Sequence, residues 1–233
     1  MADSSEIQYT ASMPSECDIS VIIVSWNVEK LLQRCLASVV SQSDVSCEVF
    51  VVDNASSDES TAMVKTMFPS VKLIENVQNV GFATANNQIL PAARGRHILL
   101  LNPDTQLPAE TFKKTVTYLD AHTDVGVLGC RILHDDGRLQ RSVLRFPTLV
   151  SQALVLLKLQ AFTLKPKVLQ DYYALDFDYT TEQNVDQVMG AFFAINGNAL
   201  RDIGLLDGRF FAWFEEVDYC KRAKDAGWNI RYT

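Results

Sequence analysis

Polar side chains that could bind a nucleotide or a metal follow two short apolar runs of the sequence. Asp53 follows residues 49–52, and Asn102 and Asp104 follow residues 97–101. A carboxylate in such a place can accept hydrogen bonds from a nucleoside, or hold a hard cation that bridges two phosphates. The same residue types also make ordinary turns. For each cluster taken alone, an ordinary turn is a sufficient explanation. A functional interpretation therefore depends on whether the clusters lie close together in the folded chain.

Two further clusters can also be interpreted either as functional or as structural. Around Gly81, small residues open a helical pattern, which lets an anionic ligand approach the backbone but also suits close packing of helix on sheet. Later, Glu215, Glu216 and Asp218 open a predicted helix directly after an aromatic cluster. Acids favour helix N-termini, and Asp218 has the spacing of a surface pair with Arg222, so we interpret Asp218 as structural. For Glu215 and Glu216, a general base and a structural role stay equally open.

The elements between these clusters predict an α/β fold. Apolar runs alternate with helical patterns in the first half: the runs cover 19–24, 49–52, 71–74 and 97–101, and the helical patterns cover 31–40, a stretch from about 57, and 83–93. This alternation predicts an open, mainly parallel sheet with helices on both faces. Ligands of such sheets bind beyond the carboxyl ends of the strands, so the clusters at Ser25, Asp53 and Asp104 should meet there.

The second half of the chain is less regular. Strands are predicted at 125–129 and 188–195, and the last helix ends at Gly227. Residues 1–17 are polar and predict a flexible tail. Because no repeat or low-complexity linker divides the remainder, we predict a single domain over 18–233.

Composition excludes several classes of protein. The net charge of −7 gives no support for a nucleic-acid partner, which would favour a basic face. The five cysteines are scattered, so we expect reduced thiols in a cytoplasmic protein. We find neither a secretory signal nor an apolar run long enough to span a membrane. A Rossmann dehydrogenase or a nucleotidyltransferase would need a glycine-rich loop after the first strand, and residues 25–29 contain no glycine.

Together and in this order, the clusters resemble glycosyltransferase family 2, which has the GT-A fold, and above all its bacterial rhamnosyltransferase-like branch. The resemblance covers Ile19 to Thr233. Its motifs are S-W-N at 25–27, V-D-N-x-S-x-D at 52–58, N-x-G-F-A at 79–83, L-N-P-D at 101–104, D-G-R-L-Q at 136–140, F-P-T at 146–148 and F-F-x-x-F-E-E-V-D-x-C-x-R at 210–222. The resemblance implies a metal-dependent, inverting hexosyltransferase in glycan synthesis. It would move a sugar, with rhamnose from a thymidine diphosphate donor favoured, onto an acceptor hydroxyl.

The resemblance also implies a role for each site residue. Asp53 would contact the pyrimidine base of the nucleotide diphosphate sugar, and Asp58 would support that loop. Asp104 would bind Mg²⁺ or Mn²⁺, and Glu216 would be the catalytic base, with Glu215 as a residue that could share this role. The remaining donor-site residues would be Ser25, Asn27, Asn79, Gly81, Ala85, Asn87 and Asn102. Residues 18–105 would form the nucleotide-sugar-binding half, and residues 106–233 the acceptor and catalytic half.

Two departures from the family pattern affect the catalytic expectation. The usual acid at position 216 is Asp, and the extra methylene of Glu216 shifts the carboxylate by about 1 Å, which costs roughly 100-fold in rate when nothing compensates. Family members also continue beyond the position of Thr233, often with a His that helps to hold the metal, so we expect a chain truncated at its C-terminus. Both departures favour an alternative: a glycosyltransferase-like module that binds sugar nucleotide without turnover.

The acceptor stays open between a glycan and a lipid-linked sugar. Residues 149–167 mix apolar side chains with Lys158, Lys165 and Lys167, which suits an interfacial helix and a peripheral contact with the inner face of the membrane. A helix packed over the acceptor half, or a homodimer contact, is the slightly favoured explanation of this segment.

Overall fold

The computed structural model describes residues 16–158 and 166–233. Most of the predicted tail and part of the segment 149–167 therefore lie outside the described residues. Cys17, predicted to belong to the tail, already lies in the first strand. The helices are α1 Glu29–Val40, α2 Ser60–Met67, α3 Phe82–Asn87, α4 Thr111–Ala121, α5 Leu149–Leu156, α6 Lys167–Tyr172, α7 Gly197–Ile203 and α8 Glu215–Asp225. The strands are β1 Cys17–Ser25, β2 Cys47–Asp53, β3 Lys72–Glu75, β4 Gly95–Leu101, β5 Val125–Gly129, β6 Ile132–Leu133, β7 Leu139–Gln140, β8 Val143–Leu144, β9 Gln183–Asn184, β10 Gln187–Val188, β11 Phe192–Asn196 and β12 Asn229–Tyr232.

The main sheet has eight strands in the order β3-β2-β1-β4-β11-β5-β12-β9. Its first four strands are parallel, as are β5 and β12. Strand β11 runs antiparallel between β4 and β5 and joins the second half of the chain to the first. The predicted α/β fold with an open, mainly parallel sheet is confirmed.

Helices cover both faces of this sheet, as predicted. Alternate residues of β1 divide between two apolar cores: Ile19, Val21 and Ile23 pack with α1, α2 and α4, whereas Ile22 and Val24 pack with α3, α7 and α8. Both faces of β1 are buried, which explains its continuous β-branched run in place of an alternating pattern.

The register of the parallel strands brings their ends to one level. Ser25 lies opposite Asp53, Asp53 lies opposite Glu75, and Ile23 lies opposite Leu101. The residues that follow β4 therefore lie beside the end of β1. We call this row of strand ends the C-terminal edge of the sheet.

Three predicted elements differ from the structure. The run 188–195 is divided between β10, which pairs with β8 in a separate small sheet, and β11 in the main sheet. The helix expected from about residue 57 begins at Ser60, because the Asp58 carboxylate accepts a hydrogen bond from the Ser60 N–H. The helical pattern 83–93 ends at Asn87 and continues only as a 3₁₀ turn at Leu90–Ala92, because proline interrupts α-helical hydrogen bonding.

All five cysteines are free thiols. In the described part of the chain, no helix combines the length and the apolar composition that a bilayer span requires.

A test of this strand arrangement uses Gly95, at the start of β4. A Cβ atom there would lie 2.2 Å from the Ser20 nitrogen of β1, so the two backbones must separate to admit it. We expect Gly95→Ala to lower the free energy of unfolding by about 1–3 kcal/mol in urea denaturation, the usual range for forced overpacking. At Gly208 a Cβ atom would meet only the Thr84 hydroxyl at 3.5 Å, so Gly208→Ala serves as the control. Equal stability of the two variants would contradict the packing argument.

Candidate functional site

Ser25 and Asp53 meet at the C-terminal edge, as the topology predicts. They are paired in register and are 1% and 2% exposed. Asp53 Oδ2 accepts a hydrogen bond from the Ser56 N–H at 2.8 Å. Within the described residues, Ser25 Oγ and Asp53 Oδ1 have no partner. Buried polar atoms are nearly always hydrogen-bonded, so this pair has one donor and one acceptor that the described residues leave unsatisfied.

Asn27 and Asp58 hold the loops of this edge together. The Asn27 N–H donates to Ser56 Oγ at 2.9 Å, and Asn27 Oδ1 accepts from the Ser57 N–H at 2.7 Å. Asp58 accepts from the N–H groups of Glu29 at 3.0 Å and of Ser60 at 3.1 Å, which stabilises the starts of α1 and α2. Both side chains are therefore used in fixing the loops that flank Asp53.

Gly81 lies under the aromatic loop that precedes α8. Its φ is +82°, and a Cβ atom on it would lie 2.4 Å from the Phe211 carbonyl oxygen. The Phe82 N–H donates to that same oxygen at 2.9 Å, and Asn79 Oδ1 accepts from the Gly81 N–H at 2.9 Å. Glycine is required here because another segment of the chain approaches the backbone. A ligand contact at Gly81 or Asn79 stays a prediction.

Ala85 and Asn87 lie farther along the same segment. Ala85 is fully buried in the core. The Asn87 amide donates to the Leu206 carbonyl oxygen at 2.7 Å and accepts from the Leu206 N–H at 3.1 Å, and so joins the two halves of the chain. Both residues have structural partners that explain them, and their predicted place in a donor pocket is untested.

The two acids of α8 are withdrawn from water. Glu215 is 5% exposed, its Oε2 atom has no partner within the described residues, and burial raises the pKa of its carboxyl to about 7, with the Glu216 charge adding to the shift. Glu216 is half-buried, and burial raises its pKa as well. Asp218 forms the expected pair with Arg222 at 2.8 Å.

The turn into α8 is strained. Trp213 and Phe214 both have positive φ, at 67° and 70°. Each such residue costs roughly 1–2 kcal/mol, a cost that proteins often bear at functional sites.

Sequence reasoning missed residues 190–191, which connect the end of β4 to Glu216. The Asn102 N–H donates to the Ala191 carbonyl oxygen at 3.1 Å. A Cβ atom on Gly190 would lie 4.0 Å from Glu216 Cδ. A glycine inside an apparent strand often marks an interruption of the strand, and Gly190 was such a signal, since it lies between β10 and β11.

Asp104 is exposed and lines a cavity of about 1180 Å³ together with Asn102. Ser25, Asp53 and Glu216 do not line this cavity, so it adjoins the site without containing all of it. Among the described residues, no three His, Cys, Asp or Glu side chains could jointly hold a metal ion. Mg²⁺ commonly binds through one or two carboxylates, substrate phosphates and water. The single carboxylate of Asp104 fits a cation that enters with a diphosphate.

The sequence of this chain is similar to that of known proteins. The profile of glycosyl transferase family 2 matches residues 20–204. An N-acetylglucosaminyl-diphospho-decaprenol L-rhamnosyltransferase of Mycobacterium tuberculosis is 23% identical over 227 residues, which cover 92% of this chain and 73% of that protein.

Two solved structures share the fold. The mannosyltransferase PcManGT from Pyrobaculum calidifontis, in complex with GDP-Man and Mn²⁺, has a TM-score of 0.62 and 19% identity over 92% of this chain and 54% of its own. Staphylococcus aureus TarS 1-349, in complex with UDP, has a TM-score of 0.63 and 20% identity over 93% of this chain and 57% of its own. This chain thus spans about half the length of these structures. Because the family profile covers most of its residues, the chain belongs to glycosyl transferase family 2.

Proposed function

We propose that this chain is an inverting, metal-dependent glycosyltransferase domain that moves a hexose from a nucleotide diphosphate donor to an acceptor hydroxyl. The observation that carries the proposal is the gathering of three carboxylates from distant parts of the sequence. Asp53 ends β2 and Asp104 follows β4, the two strands that flank β1, and Glu216 approaches the same edge through residues 190–191. Binding a base, holding a cation and removing a proton are three separate tasks, and each needs its own acid.

Asp53 and Ser25 form the nucleoside end of the proposed site. Asp53 Oδ1 and Ser25 Oγ are the two buried oxygens left without partners at the strand ends. A pyrimidine ring offers an N–H donor and a carbonyl acceptor, so this pair can complete its hydrogen bonds by binding the base. Asn27 and Asp58 keep the surrounding loops rigid, which limits the entropy lost on binding.

Asp104 and Asn102 form the diphosphate end. Mg²⁺ or Mn²⁺ held by Asp104 would neutralise charge that develops on the leaving diphosphate. The Asn102 side chain forms no hydrogen bond with the described residues. Its amide is therefore available to bind a water molecule that coordinates the cation. The Asn102 backbone is fixed by Ala191, which holds this end at a constant position relative to Glu216.

Glu216 acts as the base in this proposal. Its carboxylate takes the proton of the acceptor hydroxyl while that oxygen attacks the anomeric carbon from the face opposite the nucleotide. The new C–O bond replaces the bond to the diphosphate, so the configuration at this carbon inverts. The raised pKa makes Glu216 a stronger base than a solvated glutamate once it is deprotonated.

The finer assignment is rhamnose from a thymidine diphosphate donor, with a lipid-linked sugar or a glycan as acceptor. Its support is the mycobacterial relative, whose name includes both L-rhamnose transfer and a diphospho-decaprenol acceptor. We assign residues 18–105 to the donor half and 106–233 to the acceptor half, on the cytoplasmic side, where the free thiols stay reduced.

The alternative function is sugar-nucleotide binding without turnover. The observation that favours it is Glu216 in place of the family's usual Asp. Turnover distinguishes the two, because both functions require Asp53 and Asp104.

The base is tested by two substitutions of Glu216. We expect Glu216→Gln to lower kcat at least about 100-fold, because general-base catalysis contributes 10²–10⁴-fold, while the Kd for nucleotide diphosphate stays unchanged. Glu216→Asp keeps the carboxylate but moves it by about 1 Å, so it should retain more activity than Glu216→Gln and stay within about 100-fold of the wild type. For the wild type, kcat/KM should rise with pH through the raised pKa, because the base must be deprotonated. Full activity of Glu216→Gln in a donor-turnover assay would exclude Glu216 as the base.

Metal-linked donor binding is tested by calorimetry with thymidine and uridine diphosphates, with and without Mn²⁺. We expect Asp104→Ala to abolish the gain in affinity that Mn²⁺ gives, because the cation loses the carboxylate that the proposal assigns to it. Glu110→Ala, at an exposed acid directly before α4, is the matched control and should retain that gain. A gain that survives in Asp104→Ala would place the metal elsewhere.

Burial of Glu215 predicts a pH-dependent stability. Between the unfolded-state pKa of about 4.3 and the folded pKa of about 7, the unfolded chain loses the Glu215 proton while the folded chain keeps it. This group therefore lowers the free energy of unfolding as pH rises through that window, by up to about 4 kcal/mol, and adds nothing further above it. In urea titrations, Glu215→Gln should show a shallower fall in stability between pH 5 and 7, whereas Glu110→Gln should behave as the wild type does. Parallel curves for all three proteins would contradict the burial argument.

A further inference from the structure

Helix α5 presents a continuous apolar stripe to solvent. Leu149, Val150, Leu156 and Leu157 are between 57% and 92% exposed, and Ala153 between them is exposed as well. Their spacing of i, i+1, i+4, i+7 and i+8 places all five on one face of a helix. Single exposed apolar residues are normal, but a row of large ones on one face indicates a surface that another body covers.

The helix that carries this stripe is well formed at its start. Thr148 Oγ1 accepts a hydrogen bond from the Ser151 N–H at 3.0 Å, and Ser151 Oγ accepts from the Thr148 N–H at 2.8 Å, which is a reciprocal capping box. Ser151 is the one residue of α5 that is fully buried, and α6 packs beside the helix. The stripe is therefore built into the fold on the side that faces away from its own contacts.

The sequence around the stripe is basic, although the chain as a whole is acidic. Residues 137–170 contain no Asp or Glu, whereas the chain has 28 of them and a net charge of −7. The same residues include six cations: Arg138, Arg141, Arg145, Lys158, Lys165 and Lys167. Lys158 directly follows the stripe, is exposed, and has no ion pair with any described residue. Arg138, Arg145 and Lys167 are ion-paired with Asp136, Asp176 and Asp171 respectively, so the positive charge that complements an anionic surface is that of Lys158 at the end of the stripe.

The size of the stripe favours a lipid surface over a second copy of the chain. Eight helical residues extend only about 12 Å. The stripe then offers a few hundred Å², less than the roughly 800 Å² per partner of a stable protein interface. A helix that binds at a membrane surface can do so with a smaller apolar area. Burial of its apolar side chains and attraction of its cations to anionic headgroups both contribute to its binding.

We propose that α5 docks this protein peripherally on an anionic lipid surface, with Leu149, Leu156 and Leu157 entering the acyl boundary and Lys158 meeting the headgroups. This inference goes beyond the proposed transfer reaction and does not depend on it. If the acceptor is carried by a lipid, docking through α5 holds the catalytic domain at the surface where that acceptor lies.

The test is co-sedimentation of the full chain with phosphatidylcholine vesicles, with and without phosphatidylglycerol. We expect binding that requires phosphatidylglycerol and decreases with salt. Leu149→Asp combined with Leu156→Asp should weaken partitioning at least about tenfold, because each leucine loses its burial in the membrane. The matched control is Val40→Asp combined with Met67→Asp, two exposed apolar positions on α1 and α2 with the same change in charge. This control should bind as the wild type does.

A second variant separates the electrostatic part of the proposal. Lys158→Ala should weaken partitioning about fivefold, the effect of one lysine near an anionic surface. Absence of wild-type binding to either vesicle, or equal binding by the stripe variant and its control, would overturn the proposal. A wild-type dimer in sedimentation equilibrium that the stripe variant converts to a monomer would also overturn it, since a second copy would then cover α5.

Discussion

Strand β1 lies in the middle of the parallel part of the sheet, hydrogen-bonded to β2 on one side and to β4 on the other. Both faces of the strand are buried, so a shift of one residue in register would move its apolar side chains to the wrong core. This register determines that Ser25 faces Asp53 and that the chain leaving β4 passes beside them. The proposed donor side of the site depends on this register, because β1 lies between β2, which ends at Asp53, and β4, which precedes Asp104.

Two backbone contacts, in addition to the pairing of β4 with β11, hold the proposed catalytic side against this framework. One is the hydrogen bond between Asn102 and Ala191 at the end of β4, and the other is the approach of Phe211 to Gly81 and Phe82. Both contacts join segments more than 80 residues apart, and the second requires a glycine at position 81. The left-handed conformations of Trp213 and Phe214 show that the chain bears strain where it turns into α8. Surrounding packing has to offset this strain, which is why the aromatic loop and the glycine beneath it belong together.

Burial of Glu215 and Glu216 is the main electrostatic cost of the site. Two adjacent carboxyls at the start of α8 gain from the helix dipole, but their removal from water outweighs this gain and raises both pKa values. A protein that needed these acids only as helix caps would leave them in solvent. The opposite arrangement is seen at Asp58, where two backbone N–H groups satisfy the carboxylate and the loops of the edge are fixed. Side-chain carboxyl groups of the same chemical type therefore differ in burial and in hydrogen bonding according to the residues that surround them.

The sequence by itself determined the α/β class, the parallel first half and the order of the clusters, because continuous β-branched runs and helical periodicity are local properties. It also determined that the strand-end residues Ser25, Asp53 and Asp104 would share one edge, since parallel strands have no other geometry. It did not determine the division of 188–195 into two strands, because that depends on Ala191 hydrogen-bonding to Asn102 far away in the chain. Nor could it distinguish Asn87, whose amide is satisfied by Leu206, from a ligand contact, or separate Glu215 from Glu216 in burial. Such differences arise only when the second half of the chain packs against the first, because hydrogen-bond satisfaction and desolvation belong to the assembled site and not to any one segment.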